Sequence, residues 1–360
     1  KQYGNIYTRI NNPTNAVFEE RVASLENATG ALAVASGMAA QFTAMMTLLE
    51  PGDEIVASSH LYGGTVTQFT HTFKKLGVKA HFVEPSDIEN WAAAITPKTR
   101  ALYGETIGNP KGSVLDIEPL AELAHAHNVP LIVDSTFATP YLCRPIDWGA
   151  DIVVHSATKF IGGHGSSIAG VIVDSGNFDF STFPTITDPD PAYHELKFYE
   201  TFGHYGFLMK ARAVTLRDTG AALSPFNAFL LIQGLETLSV RMDRHVENAL
   251  AIAKFLHEHP KVDWVAYAGL EDNPYHALAQ KYTPKGPGAI FTFGIKGSNA
   301  RLAGKEFIES LHIFSHLANV GDARSLVIHP ASTTHQQLSD AELEAAGVDA
   351  GMIRLSIGLE

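Results

Sequence analysis

Lys159 closes the stretch Asp151-Ile-Val-Val-His-Ser-Ala-Thr-Lys159, and Phe160-Ile-Gly-Gly-His164 follows it. Residues 152–154 are β-branched, the composition of a short buried strand. The strand ends in a polar turn, Ser156-Ala-Thr158, and then the lysine. An amine just past such a strand lies where open α/β sheets take their ligands. Desolvation there favours the neutral amine, a usable nucleophile. A single lysine at this position also reads as an ordinary loop residue; its neighbours shift the balance.

Those neighbours recur at the same kind of place. Leu131-Ile-Val-Asp134 is three aliphatics and then a carboxylate, which puts an anion at the mouth of a sheet or a cap on the next helix. Ser36-Gly37-Met38 follows an apolar run and opens a helical pattern. Free backbone N–H groups and the helix dipole at such a turn receive an anion, although many βα turns carry glycine without a ligand. The turn is neither a Gly-Lys-Ser/Thr phosphate loop nor Gly-x-Gly-x-x-Gly. Tyr62 precedes Gly63-Gly64 at another strand end, as a stacking platform or as a packing residue. Glu105-Thr-Ile-Gly-Asn109-Pro110 follows a further strand. Arg354 lies inside an apolar strand and needs an anion, from protein or ligand.

The elements that position these groups alternate. Helix is predicted over 16–25, strand over 30–35, helix to 49, strands over 54–58, 78–83 and 99–103 with a helix over 88–95, helix over 117–127, and strands over 130–134, 152–154 and 168–173. Such alternation predicts a mostly parallel sheet with right-handed crossovers and helices on both faces. Every group singled out above, Arg354 apart, then falls on one edge of that sheet. Residues 175–205, rich in Asp, Pro, Phe and Tyr, break the rhythm as an inserted segment that lines a site or a subunit contact. Helices follow over 206–220 and 226–257, the second bent near Gly234. A smaller α+β domain is expected over 233–360, with strands at 262–267, 289–295 and 352–357, after a large domain over 16–232. Residues 1–15 are polar, with Tyr7-x-Arg9 and a Pro13 turn, and read as an arm ordered by docking or as a solvated tail.

Composition narrows the function classes. With 26 basic against 38 acidic residues, nothing concentrates enough positive charge to neutralise nucleic-acid phosphates. No apolar run has the length of a transmembrane helix. Cys143 is the one cysteine and reads as a core residue, so no internal disulfide or cysteine-held zinc is expected; this fits a reducing, cytoplasmic setting. The histidines are scattered, and no metal site is expected. The sequence opens on Lys1, which leaves an upstream piece open.

Taken together, Tyr7-x-Arg9, Ser36-Gly-Met38, Tyr62-Gly-Gly, Glu105-x-x-x-Asn109-Pro, Val133-Asp134, Ser156-Ala-Thr158-Lys159 and Arg354-Leu-Ser-x-Gly resemble the Cys/Met-metabolism family of pyridoxal-phosphate enzymes, over nearly the whole chain and in order. The resemblance implies the fold type I of pyridoxal-phosphate-dependent transferases, a large α/β domain plus a smaller C-terminal α+β domain. It implies Lys159 as the Schiff-base lysine and proton carrier, and Asp134 as partner of the pyridine nitrogen. Ser36, Gly37, Met38, Ser156 and Thr158 become phosphate ligands, joined by Tyr7 and Arg9 of a neighbouring subunit. Tyr62 becomes the stacking ring and acid or base, and Asn109 the neighbour of the ring hydroxyl. Asn319, Arg354 and Glu105 become substrate-binding residues.

Within the family the likeness is strongest to the O-acetylhomoserine sulfhydrylase branch. It is carried by Asp188-Pro-Asp-Pro-Ala-Tyr-His194, Leu223-Ser-Pro-Phe-Asn-Ala-Phe-Leu230, Ala318-Asn-Val-Gly-Asp322 and His329-Pro-Ala-Ser-Thr-Thr-His335. The implied reaction is γ-replacement, from O-acetylhomoserine and sulfide to homocysteine and acetate. Methionine γ-lyase and cystathionine γ-synthase or lyase activities are the alternatives. The methionine γ-lyase branch carries a cysteine two residues after the stacking tyrosine, where this chain has Gly64. A homotetramer of site-sharing dimers is also implied.

Overall fold

The structure is a computed structural model and describes residues 4–108, 112–297, 299–333 and 349–360. Its larger sheet has seven strands: β1 (Gly30–Val34), β2 (Glu54–Ser58), β3 (Lys79–Val83), β4 (Thr99–Glu105), β5 (Leu131–Asp134), β6 (Ile152–His155) and β7 (Gly170–Asp174). The order is β1-β7-β6-β5-β4-β2-β3. Strands β2 to β6 run parallel, and β7 runs antiparallel to both its neighbours. The smaller sheet holds β8 (Val262–Ala266), β9 (Ile290–Ile295), β10 (Ser315–His316), β11 (Leu326–Ile328) and β12 (Met352–Ser356), in the order β10-β11-β12-β9-β8.

The helices that matter for the site are α1 (Pro13–Leu25), α2 (Gly37–Leu48), α3 (Gly63–Thr67), α4 (Ile88–Ala94), α5 (Ile117–Ala126), α6 (Pro225–Glu236), α7 (Leu238–Glu258) and α8 (Ala300–Glu309). The central strands are apolar on both faces because each face is covered. Val133 and Val153 pack with α1, α5 and α7 on one side. Ile132, Ile152 and Val154, one residue out of phase, pack with α2, Phe69 and Phe73 on the other.

Residues 175–205 fold as short 3-10 and α-helical turns. Their aromatics form a layer on the α2 side, where Phe180 stacks on Phe207 and meets Phe183 edge-on. None of them lines the main cleft of its own chain. The long helix is interrupted at Thr237, between α6 and α7 and three residues past Gly234. Gly234 serves a close approach: a Cβ there would lie 2.4 Å from the Ile161 carbonyl oxygen.

Candidate active site

The parallel strands end on one edge, and the cleft there is closed by the smaller sheet. Its walls include Ser36, Gly37, Met38, Tyr62, Glu105, Asp134, Ser156, Thr158, Lys159, Asn319 and Arg354. Eleven residues singled out in the sequence therefore meet in one place.

Ser36 caps α2 from an extended conformation, its hydroxyl accepting from the Ala39 N–H at 3.0 Å. The N–H groups of Gly37 and Met38 have no partner among the described residues and sit at the positive end of a three-turn helix. Gly37 is required by space, since a Cβ would lie 2.6 Å from Ser156 Cβ. Gly170 meets the same limit, with its imagined Cβ 2.0 Å from the Ser36 carbonyl oxygen. This is a cradle for a small anion. Thr158 contributes differently from expectation: its hydroxyl donates to the Ala169 carbonyl at 3.1 Å and accepts from the Ala169 N–H at 3.0 Å, tying the turn to the start of β7.

Asp134 ends β5 and is in register with Glu105 on β4. Oδ1 of Asp134 accepts from the Thr136 N–H at 2.9 Å and from its hydroxyl at 2.5 Å. Burial pushes the Asp134 carboxyl up, while the Thr136 hydrogen bonds and the charge of His155 pull it down. A cationic ring nitrogen in contact would complete that pull.

Lys159 sits in the turn after β6, and its Nζ donates to Asn319 Oδ1 at 2.5 Å. Burial, and then the positive charge of Arg354, hold its pKa below the ordinary lysine value. Arg354 stands in the middle of β12 between Ile328 and Thr292. Among the described residues no carboxylate lies within ion-pair distance of it, and burial depresses its pKa. The sequence left open whether a protein anion answers this arginine; none of the described ones does.

Tyr62 forms the rim, half exposed at the start of α3, with its N–H donating to Glu105 Oε1 at 2.6 Å. Its ring folds back over Gly64, where a Cβ would lie 2.4 Å from Tyr62 Cε1. Glu105, expected to meet substrate, thus also fixes the backbone under the tyrosine. Tyr7 and Arg9 do not reach this cleft. The Arg9 guanidinium lies over the Tyr7 ring, 5.3 Å from its centre, and donates to the Arg217 carbonyl. Asn109 lies outside the described residues.

Sequence reasoning missed the apolar walls Ile107, Phe137, Ile168 and Val320, and the polar Gln41 and Thr136. Only Thr136 carried a signal: a threonine two residues after a strand-ending Asp is a common side-chain turn. Gln41 is the hub of a buried network, accepting from Thr65 and Tyr103 and donating to Gln68.

A lysine amine, an N–H cradle for a phosphate, a carboxylate at the floor and an aromatic at the rim fit pyridoxal phosphate. The family model described as Cys/Met metabolism PLP-dependent enzyme matches residues 1–360. The chain belongs to this family. Its members use pyridoxal phosphate, and so does this enzyme. Among curated relatives, the O-acetyl-L-homoserine sulfhydrylase of Leptospira meyeri is 53% identical over 371 residues, covering 100% of this chain and 84% of the relative. The homocysteine synthase of Schizosaccharomyces pombe is 52% identical over 362 residues, covering 99% and 84%. A crystal structure from Campylobacter jejuni, proposed as an O-acetylhomoserine (thiol)-lyase, has a TM-score of 0.95 at 39% identity and covers 100% of this chain and 86% of that one. That structure carries a pyridoxyl-lysine phosphate. No helix among the described residues is long and apolar enough to cross a membrane.

Proposed function

We propose that this enzyme catalyses γ-replacement, converting O-acetyl-L-homoserine and sulfide to L-homocysteine and acetate, as a cytoplasmic step of methionine biosynthesis. The observation that carries the reading is Arg354, a cation with no carboxylate partner among the described residues, in the same cleft as a lysine with a depressed pKa. That pair calls for an amino-acid substrate. Relatives of about half identity over the whole chain, named for this reaction, support the acetylated homoserine.

Pyridoxal phosphate, when bound, supplies the electron sink that lets substrate carbon give up protons and a γ-substituent leave. The chain's own residues do the rest. Lys159 would hold the cofactor, Gly37, Met38, Ser36 and Ser156 its phosphate, and Asp134 its ring nitrogen. Arg354 binds the substrate carboxylate as a bidentate pair. Asn319 adds one donor: its Oδ1 accepts the hydrogen bond from Lys159 Nζ, which leaves Nδ2 for the same carboxylate. Burial and then the charge of Arg354 favour the neutral Lys159 amine, the form that accepts a proton from substrate carbon. Tyr62, held through Glu105, places its hydroxyl at the rim, on the path of the departing acetate and entering sulfide. Ile107, Phe137, Ile168 and Val320 give the cleft its apolar walls.

Tyr7 and Arg9 of the partner subunit complete the phosphate site, in a homotetramer built from site-sharing dimers. Product analysis with O-acetylhomoserine, with and without sulfide, tests the reading. Sulfide-dependent homocysteine supports it; 2-oxobutyrate and ammonia formed regardless of sulfide would make the enzyme a lyase.

A further inference from the structure

Two buried side chains of α7 take part in none of these steps. Arg241 is 4% exposed, and no carboxylate pairs with it among the described residues. Burial lowers its pKa to about 10. A desolvated guanidinium without a counter-ion is costly unless its N–H groups are well satisfied. Here they are. Nη1 donates to the Phe160 carbonyl at 2.7 Å, and Nη2 to the Gly234 carbonyl at 2.7 Å and the Ile161 carbonyl at 3.2 Å. Nε donates to Thr237 Oγ1 at 3.1 Å. Two of these four acceptors belong to the residues that directly follow Lys159.

His245 lies one turn further along the same face of α7 and is fully buried. Its ring meets Phe160 edge-on, with centres 5.2 Å apart. Its Nδ1–H donates at 2.6 Å to the carbonyl of Ile357, three residues beyond Arg354. Burial first, then the charge of Arg241, lowers its pKa to about 4 against the pull of Glu360 and Asp322, so the ring is neutral. Nε2 has no partner among the described residues. One helix face thus touches both the turn that carries Lys159 and the strand end that carries Arg354.

The surrounding glycines close the arrangement. Gly163, at φ +73°, leaves room for Arg241, whose Nη1 would lie 2.2 Å from a Cβ there. Gly321 presses on the opposite flank, with its imagined Cβ 2.7 Å from the Phe160 N and 3.0 Å from the Lys159 carbonyl carbon. The Lys159 backbone is therefore gripped from both sides.

We infer that Arg241 and His245 are paired positioning residues which set the spacing between Lys159 and Arg354. The inference deepens the proposed reaction and rests on it for the meaning of that spacing, because amine and guanidinium must meet one amino-acid substrate at once. Arg241 acts through the carbonyls after Lys159, and His245 through the end of β12.

The test uses the holoenzyme and reads the pH titration of the visible absorbance of the lysine-bound cofactor. The positive charge of Arg354 opposes a proton on Lys159, so looser spacing moves the midpoint up. Arg241→Lys keeps the charge but cannot fork across four oxygens. His245→Leu keeps the bulk and removes the donor, whereas His245→Asn retains a donor near the Nδ1 position. Arg241→Lys and His245→Leu are expected to raise the midpoint by about half a pH unit, roughly threefold in proton affinity. They should raise KM for O-acetylhomoserine by at least about threefold as well, and His245→Asn should stay near the parent on both. Neither failing variant changes the charge of a neutral histidine or an arginine, so a shift reads geometry. Unaltered midpoints and KM in folded Arg241→Lys and His245→Leu overturn the inference, as does a His245→Asn shift equal to that of His245→Leu. If Arg241→Lys does not fold, the two His245 variants decide alone; if His245→Leu does not, His245→Gln, whose donor is one methylene further out, replaces it. The titration needs no substrate, so its outcome is separate from whether the parent enzyme makes homocysteine.

Discussion

Lys159 Nζ donates to Asn319 Oδ1 at 2.5 Å, a hydrogen bond that joins the turn after β6 to the loop between β10 and β11. The amide oxygen occupies the amine and directs Nδ2 elsewhere, so one side chain serves two groups.

Asn319→Ala removes both contacts. A hydrogen bond to a charged group contributes about 1.5–3 kcal/mol, so kcat/KM for O-acetylhomoserine should fall about 10- to 100-fold, mainly through KM. Steady-state kinetics at fixed sulfide check this. An unchanged KM would take Asn319 out of carboxylate binding.

Gly37→Ala brings a methyl to 2.6 Å from Ser156 Cβ, so α2 must back away from the turn after β6. Overpacking of this kind costs about 1–3 kcal/mol, and the separation spreads the proposed phosphate cradle. Cofactor affinity, read by titrating the apoenzyme and following visible absorbance, should weaken roughly tenfold or more. Wild-type affinity would place the phosphate elsewhere.

Much of this site was legible because a parallel strand writes a simple signature: an apolar run, then punctuation. Asp134 and Lys159 are polar residues at or just past the ends of β5 and β6, and the edge they share follows from topology alone. Other features left no such trace. β10 and β11 have two and three residues, too short for any period to emerge. The reversal of β7 is a matter of connection, since an antiparallel strand buried on both faces has the same composition as a parallel one. Gly234 marked the interruption at Thr237 to within three residues, whereas its close approach to Ile161 is a long-range fact. The walls Phe137 and Val320 looked like any core residue until the fold brought them to the cleft.

Asp174 ends β7 fully buried, its Oδ1 accepting from the Gly176 N–H at 3.0 Å and its Oδ2 without a partner among the described residues. Burial raises its pKa from 3.8 to about 7. Between those values the folded state holds the proton and the unfolded state does not, so this group's contribution to stability falls as pH rises through that window. The penalty is fully present above pH 7. Asp174→Asn keeps the accepting oxygen and removes the ionisation. Its thermal midpoint should exceed that of the parent at pH 8 and match it near pH 4. Equal midpoints at pH 8 would mean that Asp174 ionises without cost.

Gly64→Cys places a Cβ 2.4 Å from Tyr62 Cε1, so the ring must swing off α3. A displaced acid or base at the rim should lower homocysteine formation about tenfold and raise the ratio of 2-oxobutyrate to homocysteine. Product ratios under excess sulfide measure it. An unchanged ratio would show that Gly64 does not favour replacement over elimination.

The arm supplies the last prediction. Arg9 and Tyr7 lie against the Arg217 segment and outside the cleft of their own chain, while the cradle at Gly37 and Met38 holds unpaired N–H groups but no described cation other than Lys159 and Arg354. If the arm crosses to a partner, Arg9→Ala and Lys159→Ala subunits are each inactive alone but complementary together. In a mixed dimer, the Arg9→Ala subunit keeps its lysine and receives an intact arm from the Lys159→Ala subunit. The reciprocal site has neither. Random pairing of equal amounts makes half the dimers mixed, so about a quarter of all sites should work. Co-expression of the two variants with different tags, followed by tandem purification, removes the tetramers built of a single variant and leaves about 30% of the sites expected to work. Absence of activity in that fraction would mean that each subunit builds its phosphate site alone.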